Sequence, residues 1–455
     1  MPIPRRSLTL AVAALLAACA SYEPQPVDLA AHDASYRARM PDLDAVRAFA
    51  RSLGARVDGE ALTRQEARTL ALWFHPELRR ARAQVDVAAQ LAENSGYWPD
   101  PTIQGSVADK LGNTNPWLVT SAVGLTVPLS RQFSLQRQLA DAKHGTARLL
   151  TLVREVEVRD ALDATWTRWS AAQHRADALT ELCATLKALD QIGARLLAAH
   201  QLSRPQARIF ALEHASRCAE LDAALADATI ARAEIDQMLG LPPGSAVPLR
   251  QELTIESRAP QQDAVAAALR EGPRLLPAWR AHVEAERRVE HELSKQWPML
   301  TLFPGWEEED ATNRPAIGFT LPLPLWNRNR LLVAEAEGQR LAAKTALESA
   351  LEESTQSRVR ASAARLAAMS RRTRLESELA PACREQLADA TRLAELGELD
   401  PLLLLDAVTR LYEAQRDALT AAVDEAAATA AENSLFWPEG CNPRDAGTTP
   451  TQEPK

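Results

Sequence analysis

Alternating apolar and polar positions predict four short β-strands in a chain that is otherwise helical. Ile103 and Val107 fall on one face of the first segment, and Ile317 and Phe319 fall on one face of the fourth. The opposite faces carry small or polar residues. This alternation is typical of a strand between lipid and water, although a half-buried hairpin of a soluble protein shows it too. The predicted strands lie at about 101–110, 117–128, 299–306 and 315–325.

Apolar residues at steps of three and four predict very long helices around these strands. Residues 130–200 read as one helix, which would span about 105 Å at 1.5 Å per residue. A returning helix follows, so an antiparallel hairpin turns near Leu202, and a second hairpin turns near Leu399. The first helix has a coiled-coil seam, whose residues are Ala172, Ala176, Leu179, Leu182, Leu186, Leu189, Ile192 and Leu196.

The chain consists of two similar halves, which is the mark of an internal repeat. The sequence HPEL from His75 and the sequence GPRL from Gly272 open corresponding helices. The second strand of each half aligns residue for residue, since VGLTVPL at 123–129 matches IGFTLPL at 317–323. Two isolated hairpins are marginal in water, so these strands need partners from elsewhere. The predicted repeats span 61–259 and 260–440.

The N-terminus has the pattern of a bacterial lipoprotein signal. Arg5 and Arg6 precede an apolar stretch that is too short to span a bilayer as a helix, and the stretch ends in Leu-Ala-Ala-Cys at Cys19. This end resembles a lipobox, in which Cys19 becomes the lipidated first residue; the alternative is an ordinary cleavage site beside a coincidental cysteine. The absence of Asp after Cys19 favours the outer membrane. The predicted segments are a signal peptide at 1–18, a lipid-anchored segment at 19–60 and a disordered tail at 441–455.

Charge and motifs argue against several function classes. The formal net charge of −8 argues against a nucleic-acid partner. Beyond the signal, no apolar run reaches the roughly 18 residues that a transmembrane helix needs. The eight histidines and five cysteines match no zinc or haem spacing, and no nucleotide-binding or nucleophile motif is present. The sequence therefore predicts neither an enzyme nor a cofactor or resident metal.

Two of the cysteines hold related positions in the first hairpin. Cys183 and Cys218 lie at nearly equal distances from the reversal near residue 200, so antiparallel helices would place them at the same height. A disulfide between them is compatible with an oxidising compartment. Packed helix axes lie about 8–10 Å apart, however, whereas a disulfide needs Cα atoms within about 7 Å. The alternative is that both cysteines are ordinary small core residues.

Two stretches of the second half resemble a known family. The run GFTLPLPLWNRNR at 318–330 is similar to the strand-to-helix junction of TolC-type outer-membrane factors, particularly their heavy-metal-efflux (CzcC-like) branch. The run LGELDPLLLLDA at 396–407 is similar to the tip of their helical hairpin. With the two repeats and the lipobox, the resemblance covers about residues 60–438.

The resemblance implies a mainly α fold with a transmembrane β part. Three chains would form a 12-stranded β-barrel, with a periplasmic tunnel of coiled-coil helices below it. The trimer would be the passive exit duct of a tripartite efflux system and would dock a periplasmic adaptor and an inner-membrane pump. Metal cations are the substrates that the heavy-metal branch implies. The alternatives are a drug-efflux or type I secretion channel and, in a different class, a non-spanning periplasmic coiled-coil lipoprotein.

The resemblance also indicates site residues. The hairpin tips, Gly397, Leu399 and Asp400 in one repeat and His200, Leu202 and Ser203 in the other, are candidate adaptor contacts, against the alternative of ordinary turns. Glu395 and Glu398 would form rings of acids in a trimer and are candidate gate residues, unless they are simply solvated. The expected membrane-boundary residues are Trp326, Asn327, Arg328, Asn329 and Arg330, and the tryptophans that flank the strands would form an aromatic girdle.

Overall fold

The computed structural model describes residues 22–52, 60–109, 117–262, 264–309, 312–395, 401–438 and 443. The chain divides into two compact units at Met40. In the first unit, helix α1 spans Leu29–Arg37, and the carboxylate of Asp28 caps it by accepting the amide of Ala31 at 2.9 Å. The other elements belong to the second unit. The proposed lipidation residue Cys19 lies outside the described residues.

Long helices make up most of the second unit. Helix α5, Gln132–Ala198, contains 67 residues, which corresponds to about 100 Å. A π-helical turn, Leu375–Leu379, joins α9, Arg330–Arg374, to α10, Ala380–Glu395. The helices are α2 Leu43–Ser52, α3 Arg64–Phe74, α4 Pro76–Glu93, α5 Gln132–Ala198, α6 Arg204–Met238, α7 Val265–Arg270, α8 Leu275–Ser294, α9 Arg330–Arg374, α10 Ala380–Glu395 and α11 Pro401–Asn433. None of the described helices combines the length and the hydropathy that crossing a bilayer requires.

Local signals explain where several helices begin. Helix α3 begins with a capping box, because Thr63 accepts the amide of Glu66 while the carboxylate of Glu66 accepts the amide of Thr63. Helix α4 begins at Pro76, whose missing N–H is no loss in the first turn. Beyond these first turns, the long helices are stabilised by tertiary packing as well as by the intrinsic helix propensity of their residues.

Within the described residues, one antiparallel sheet contains four strands, which are in order β1 Thr102–Asp109, β2 Trp117–Pro128, β3 Met299–Glu309 and β4 Thr312–Thr320. The two hairpins are joined by the pairing of β2 with β3, in which Leu125 lies opposite Leu302. Leu302 in turn lies opposite Phe319 of β4. The two halves of the chain thus share a single sheet.

The strands of the second hairpin extend closer to its turn than the alternation of the sequence predicts. The acidic residues Glu307–Glu309, which lie beyond the predicted end of the strand at residue 306, extend β3, and Glu307 lies opposite Arg314. Charges are tolerated there because the strand ends are exposed and opposite charges face one another across the pair. Strand β4 ends at Thr320 rather than near residue 325, since Pro322 and Pro324 cannot donate ladder hydrogen bonds.

Besides a small apolar cluster that contains Leu269 and Phe436, two larger clusters hold the long helices of the described residues together. The first surrounds the fully buried Trp166 and joins α3, α5 and α6. The second contains Leu186, Phe210 and Tyr412, and it joins α5 and α6 to α11. Most of the seam predicted for α5 is buried in this second cluster, but Ile192 is exposed. Gly193 is buried instead, because the Phe210 ring covers it. A Cβ on residue 193 would lie 2.9 Å from that ring.

Buried ion pairs attach helix α3 and the segment before α7 to α5. Arg68 of α3 donates to both carboxylate oxygens of Asp163, at 2.7 and 2.5 Å. Arg258, in the extended segment before α7, lies 3.1 Å from Asp160. Burial, together with the neighbouring Arg68 and Arg258, lowers the pKa of Arg159 to about 10. Because a buried carboxylate such as Asp163 needs a partner, these pairs fix α3 and the extended segment on α5.

Candidate functional site

The sheet presents one bulky apolar face. In β1 and β4, Ile103 and Ile317 are 82% and 81% exposed, and Phe319 is 72% exposed. The pairing places these residues on the same face as Val123 and Leu302. An apolar surface of this extent indicates contact with lipid or with another protein.

The opposite face of the sheet carries hydroxyl groups. The hydroxyls of Ser106 and Thr120 are hydrogen-bonded at 2.6 Å across β1 and β2. Those of Thr126 and Thr301 are hydrogen-bonded at 3.2 Å across β2 and β3. Both pairs lie on the face opposite Ile103 and Phe319, so this surface is suited to water.

Phe303 is the one large aromatic side chain on that hydroxyl face among the described strand residues. A Cβ at Gly124 would lie 2.7 Å from the Phe303 ring, and one at Gly318 would lie 3.5 Å from its Cβ. The ring therefore lies between two glycines of the neighbouring strands. Sequence reasoning did not assign Phe303 to this face. The available signal was the pair of glycines at equivalent positions of the two repeats.

The outer strands of the sheet have one free edge each within the described residues. Strand β1 pairs only with β2, and β4 pairs only with β3. An exposed strand edge is a row of unpaired backbone donors and acceptors that favours pairing with another chain.

The junction between β4 and α9 depends on two residues in the left-handed region. Arg328 and Asn329 have φ values of 44° and 53°. The side-chain amide of Asn329 donates from Nδ2 to the backbone carbonyl oxygen of Glu292 at 2.8 Å and to its carboxylate at 2.9 Å. Although Asn329 occupies the N-cap position of α9, its side chain does not cap this helix. It attaches the start of α9 to the end of α8 instead.

The other expected boundary residues surround that junction. Arg328 donates from Nε to the carbonyl oxygen of Pro324 at 3.0 Å. The carbonyl oxygen of Asn327 accepts the amide of Arg330, the first residue of α9, at 3.0 Å. Trp326 is 85% exposed. Trp98 and Trp297 are also exposed near the sheet ends, whereas Trp306 lies within β3 on the apolar face.

Glu292 is the acceptor on which this junction converges. Lys295 also donates to its carboxylate at 2.8 Å. Burial alone would raise the pKa of Glu292, but the hydrogen bonds from Lys295 and Asn329 outweigh burial and hold the pKa below its ordinary value. The carboxylate is therefore charged at neutral pH and binds both donors.

The tip of the first hairpin is a compact helix-ending motif. His200 has φ 59°, its amide donates to the Leu197 carbonyl at 3.1 Å, and the Gln201 amide donates to the Leu196 carbonyl at 2.9 Å. This is the Schellman pattern, in which glycine is the usual left-handed residue. His200 thus stands in the conformation that the tip glycine would adopt.

The remaining tip residues divide between the two hairpins. Ser203 begins α6 through a capping box with Gln206, and Leu202 packs against the second apolar cluster. Glu395 is the last residue of α10, and the structure describes its backbone only. The other candidates of the second tip, Gly397, Glu398, Leu399 and Asp400, lie outside the described residues.

A polar network that sequence reasoning missed joins the first hairpin to α11. The carboxylate of Glu220 accepts hydrogen bonds from Arg175 at 2.7 Å, Arg217 at 3.1 Å and the Tyr412 hydroxyl at 2.9 Å. The Arg217 guanidinium also lies 5.4 Å from the centre of the Tyr412 ring, a cation–π distance. We call these four residues the Glu220 network. Its only sequence signal was a tyrosine on the apolar face of α11.

The protonation states of Glu220 and Tyr412 at neutral pH are those that the hydrogen bonds of the Glu220 network require. Burial alone would raise the pKa of Glu220, but hydrogen bonds from Arg175, Tyr412 and Arg217 outweigh burial and lower the pKa. Burial and the nearby Glu220 raise the pKa of Tyr412. The carboxylate is therefore ionised and the phenol is protonated, as the hydrogen bond between them requires. Within the described residues, no three His, Cys, Asp or Glu side chains come together as a metal site.

Comparison with known proteins gives matches at the level of structure. No family model matches the chain, and no curated protein matches it in sequence. The structure of the outer-membrane channel OprN is similar at a TM-score of 0.68 and 18% identity, over 82% of this chain and 90% of that one. The chain has the fold of an outer-membrane channel.

Two further channels show the same likeness. A crystal structure of CusC, a protein that forms a transmembrane channel, matches at a TM-score of 0.68 and 13% identity, over 84% of this chain and 95% of that one. The open state of the MtrE outer-membrane channel of Neisseria gonorrhoeae matches at 0.68 and 18%, over 84% and 93%. The resemblance to TolC-type channels that the sequence indicated is confirmed at the level of the fold.

Proposed function

We propose that this chain is one subunit of a homotrimeric outer-membrane channel, a passive exit duct of a tripartite efflux system. The observation that carries the proposal is the sheet, which has an exposed apolar face and a hydroxyl-bearing face. The likeness to OprN and MtrE supports this function. A periplasmic adaptor and an inner-membrane pump would deliver the solutes, and the energy would come from the pump.

Closure between subunits explains the free edges of the sheet. If β4 of one chain pairs with β1 of the next, three four-stranded sheets close into a barrel of 12 strands. The apolar face with Ile317 and Phe319 would then contact lipid, and the face with Thr120 and Thr301 would line a lumen. A barrel of this strand number is wide enough to leave that lumen open.

The order of elements supports two tandem repeats in each subunit. A helix, a hairpin of two strands, a long helix and a returning helix occur between Pro76 and Met238 and again between Leu275 and Asn433. Three chains would therefore supply six helical hairpins to a periplasmic tunnel. The tips near His200 and Gly397 would contact the adaptor, and Glu395 with Glu398 would form acidic rings at that end.

Opening of such a tunnel would require the hairpins to move relative to one another. The Glu220 network ties α11 to α5 and α6 in the described arrangement. Adaptor docking would have to break these contacts if α11 moves away. We therefore propose that the Glu220 network holds the tunnel in its resting arrangement.

The location and the substrate class complete the proposal. Lipidation at Cys19 would anchor the mature chain in the outer membrane, and the resemblance at 318–330 to the heavy-metal branch supports metal cations as exported solutes. Drug efflux and type I secretion use channels of the same kind. Accumulation of labelled metal ions and of dyes in cells that lack the chain would distinguish these substrates.

Reconstitution tests the channel proposal directly. Protein extracted from outer membranes should migrate as a heat-sensitive trimer and should produce discrete conductance steps in planar lipid bilayers. A protein that stays monomeric and leaves the bilayer insulating would contradict the proposal and favour a periplasmic coiled-coil lipoprotein that does not span the membrane.

A further inference from the structure

Cys183 of α5 and Cys218 of α6 lie against each other in the first hairpin. Both are free thiols in this structure, and they lie close enough for Cys218 to raise the pKa of the Cys183 thiol. Cys183 is 7% exposed, whereas Cys218 is half-buried. Neither thiol takes part in the Glu220 network.

The register of the two helices independently places the cysteines at the same height. Arg168 and Glu234 form an ion pair at 2.7 Å on the side toward the sheet, and Gly193 contacts Phe210 on the side toward the tip. In antiparallel helices, residue numbers rise along one helix as they fall along the other, so the sum of paired numbers stays nearly constant. Cys183 and Cys218 share nearly the same sum as these two pairs and lie between them.

Helices α5 and α6 are also closely packed near the tip, on one side of the two cysteines. A Cβ on Gly193 would lie 2.9 Å from the Phe210 ring, so α5 is drawn toward α6 where the larger side chain faces a glycine. Disulfides need Cβ atoms about 3.5–4.5 Å apart. The two thiols lie at the same height on these packed helices and influence each other electrostatically, so the bond requires their side chains to rotate to that separation.

We propose that Cys183 and Cys218 form an intrachain disulfide in the mature protein, which links α5 to α6. The proposal rests on the proposed function in one respect, namely that export would place the hairpin in an oxidising compartment. Two thiols lose two protons and two electrons when the S–S bond forms, and the disulfide of a periplasmic thiol oxidase receives them.

The different exposure of the two thiols gives the order of the steps. Burial and the neighbouring Cys218 raise the pKa of the Cys183 thiol to about 12, so Cys183 is a poor first nucleophile. The more exposed Cys218 would attack the disulfide of the oxidase and form a mixed disulfide. Cys183 would then lose its proton and attack the Cys218 sulfur, which releases the oxidase as a dithiol.

The link would make the two hairpins of the chain mechanically different. A covalent bond between α5 and α6 would prevent the two helices from sliding or separating at the height of Glu220. Cys383 of α10 is buried, but helix α11 contains no cysteine, so the second hairpin has no equivalent bond. Movement during opening would then fall to the second hairpin.

Peptide mapping of full-length protein from outer membranes tests the link. Samples are quenched in acid, denatured, alkylated without reduction and digested with trypsin. We expect the peptides 176–187 and 218–232 to be joined by a disulfide, and peptide 375–384, which contains Cys383, to be alkylated. Cys183 and Cys218 that are both alkylated without reduction would overturn the proposal.

A second measurement covers the function of the link and separates it from the channel proposal. Reductant should lower the melting temperature of the wild-type protein and leave that of the Cys183→Ala/Cys218→Ala double variant unchanged, while Cys383→Ala should respond as wild type does. Equal responses of wild type and the double variant would overturn the link. Conductance of the same preparations tests the channel, because an unlinked protein that conducts contradicts only the disulfide, and a linked protein that does not conduct contradicts only the channel.

Discussion

The Tyr412 hydroxyl donates to the Glu220 carboxylate at 2.9 Å across 192 residues of sequence. This bond connects α11, in the second half of the chain, to α6 in the first half. Its partners Arg175 and Arg217 come from α5 and α6. Contacts between the two halves therefore include a charged, hydrogen-bonded centre as well as apolar packing.

Removal of that hydroxyl should weaken the connection between the halves. Tyr412→Phe keeps the buried ring but leaves one hydrogen bond to a carboxylate unmade, at a cost of about 1–2 kcal/mol. We expect a lower thermal midpoint and more frequent opening in single-channel recordings. Tyr22→Phe, at a position 89% exposed, is the matched control and should change neither. An unaltered open probability in Tyr412→Phe would contradict the role of the Glu220 network in holding the tunnel.

The same network predicts a dependence on pH. Because the folded protein lowers the pKa of Glu220, the carboxylate contributes stability above the unfolded pKa, and this contribution is lost as the pH falls through the folded pKa. Acidification below about pH 4, the ordinary range of glutamate, should therefore loosen α11. Protease sensitivity of the helical hairpins, measured against pH, would report it. Glu220→Gln should be less stable at neutral pH and should lose that part of the pH dependence; an identical profile in both proteins would show that other carboxylates are responsible.

The two faces of the sheet should respond differently to a charge. Phe319→Arg places a cation on the apolar face, which costs about 2–4 kcal/mol if the position lies near the bilayer midplane. Thr320→Arg, at the next residue, places the same charge on the hydroxyl face. We expect loss of folded trimer for the first and an assembled trimer with altered conductance for the second. Equal damage by both variants would remove the proposed assignment of lipid and lumen faces.

The junction between α8 and α9 should depend on the Asn329 side chain. Asn329→Ala removes two hydrogen bonds to Glu292 and leaves a non-glycine residue in the left-handed region, at a cost of about 2 kcal/mol. Asn327→Ala is the control, because the Asn327 side chain is exposed. Thermal denaturation of the two variants should separate them by several degrees. Similar midpoints would show that the backbone alone fixes the junction.

The tip of the first hairpin should be stabilised by glycine. His200→Gly relieves the left-handed strain of a β-carbon at φ 59°, and we expect a gain of about 1 kcal/mol in the free energy of unfolding. Gln201→Gly, whose φ is not positive, should lose stability, because it adds only freedom to the unfolded chain. Chemical denaturation would measure both. A less stable His200→Gly would indicate that the imidazole makes a compensating contact.

Sequence periodicity was sufficient for much of the fold because it is local information. The alternation around Ile317 and Phe319 assigned both to one face, and the structure places them there. The three- and four-residue steps from Ala176 to Leu189 marked the buried side of α5. The pattern failed at Ile192, because the ring of Phe210, brought by another helix, fills the space over Gly193.

Element ends were less predictable than the elements themselves. The acids of Glu307–Glu309 are typical of a loop, but pairing with β4 extends the strand through them. Pro322 and Pro324 end β4 even though the apolar alternation continues past Thr320. In both places the ladder of backbone hydrogen bonds decides, and side-chain pattern alone does not report it.

The sequence by itself determined the helices, the strands, the two faces of the sheet and the absence of recognisable catalytic motifs. Each of these follows from residue spacing within one element, where the 3.6- and 2-residue periods act directly. Only the tertiary structure decided that Phe303 lies between Gly124 and Gly318, that Asn329 binds Glu292 and that Glu220 joins the two halves. Those contacts depend on which elements become neighbours, and burial of shared apolar surface makes that choice across the whole chain.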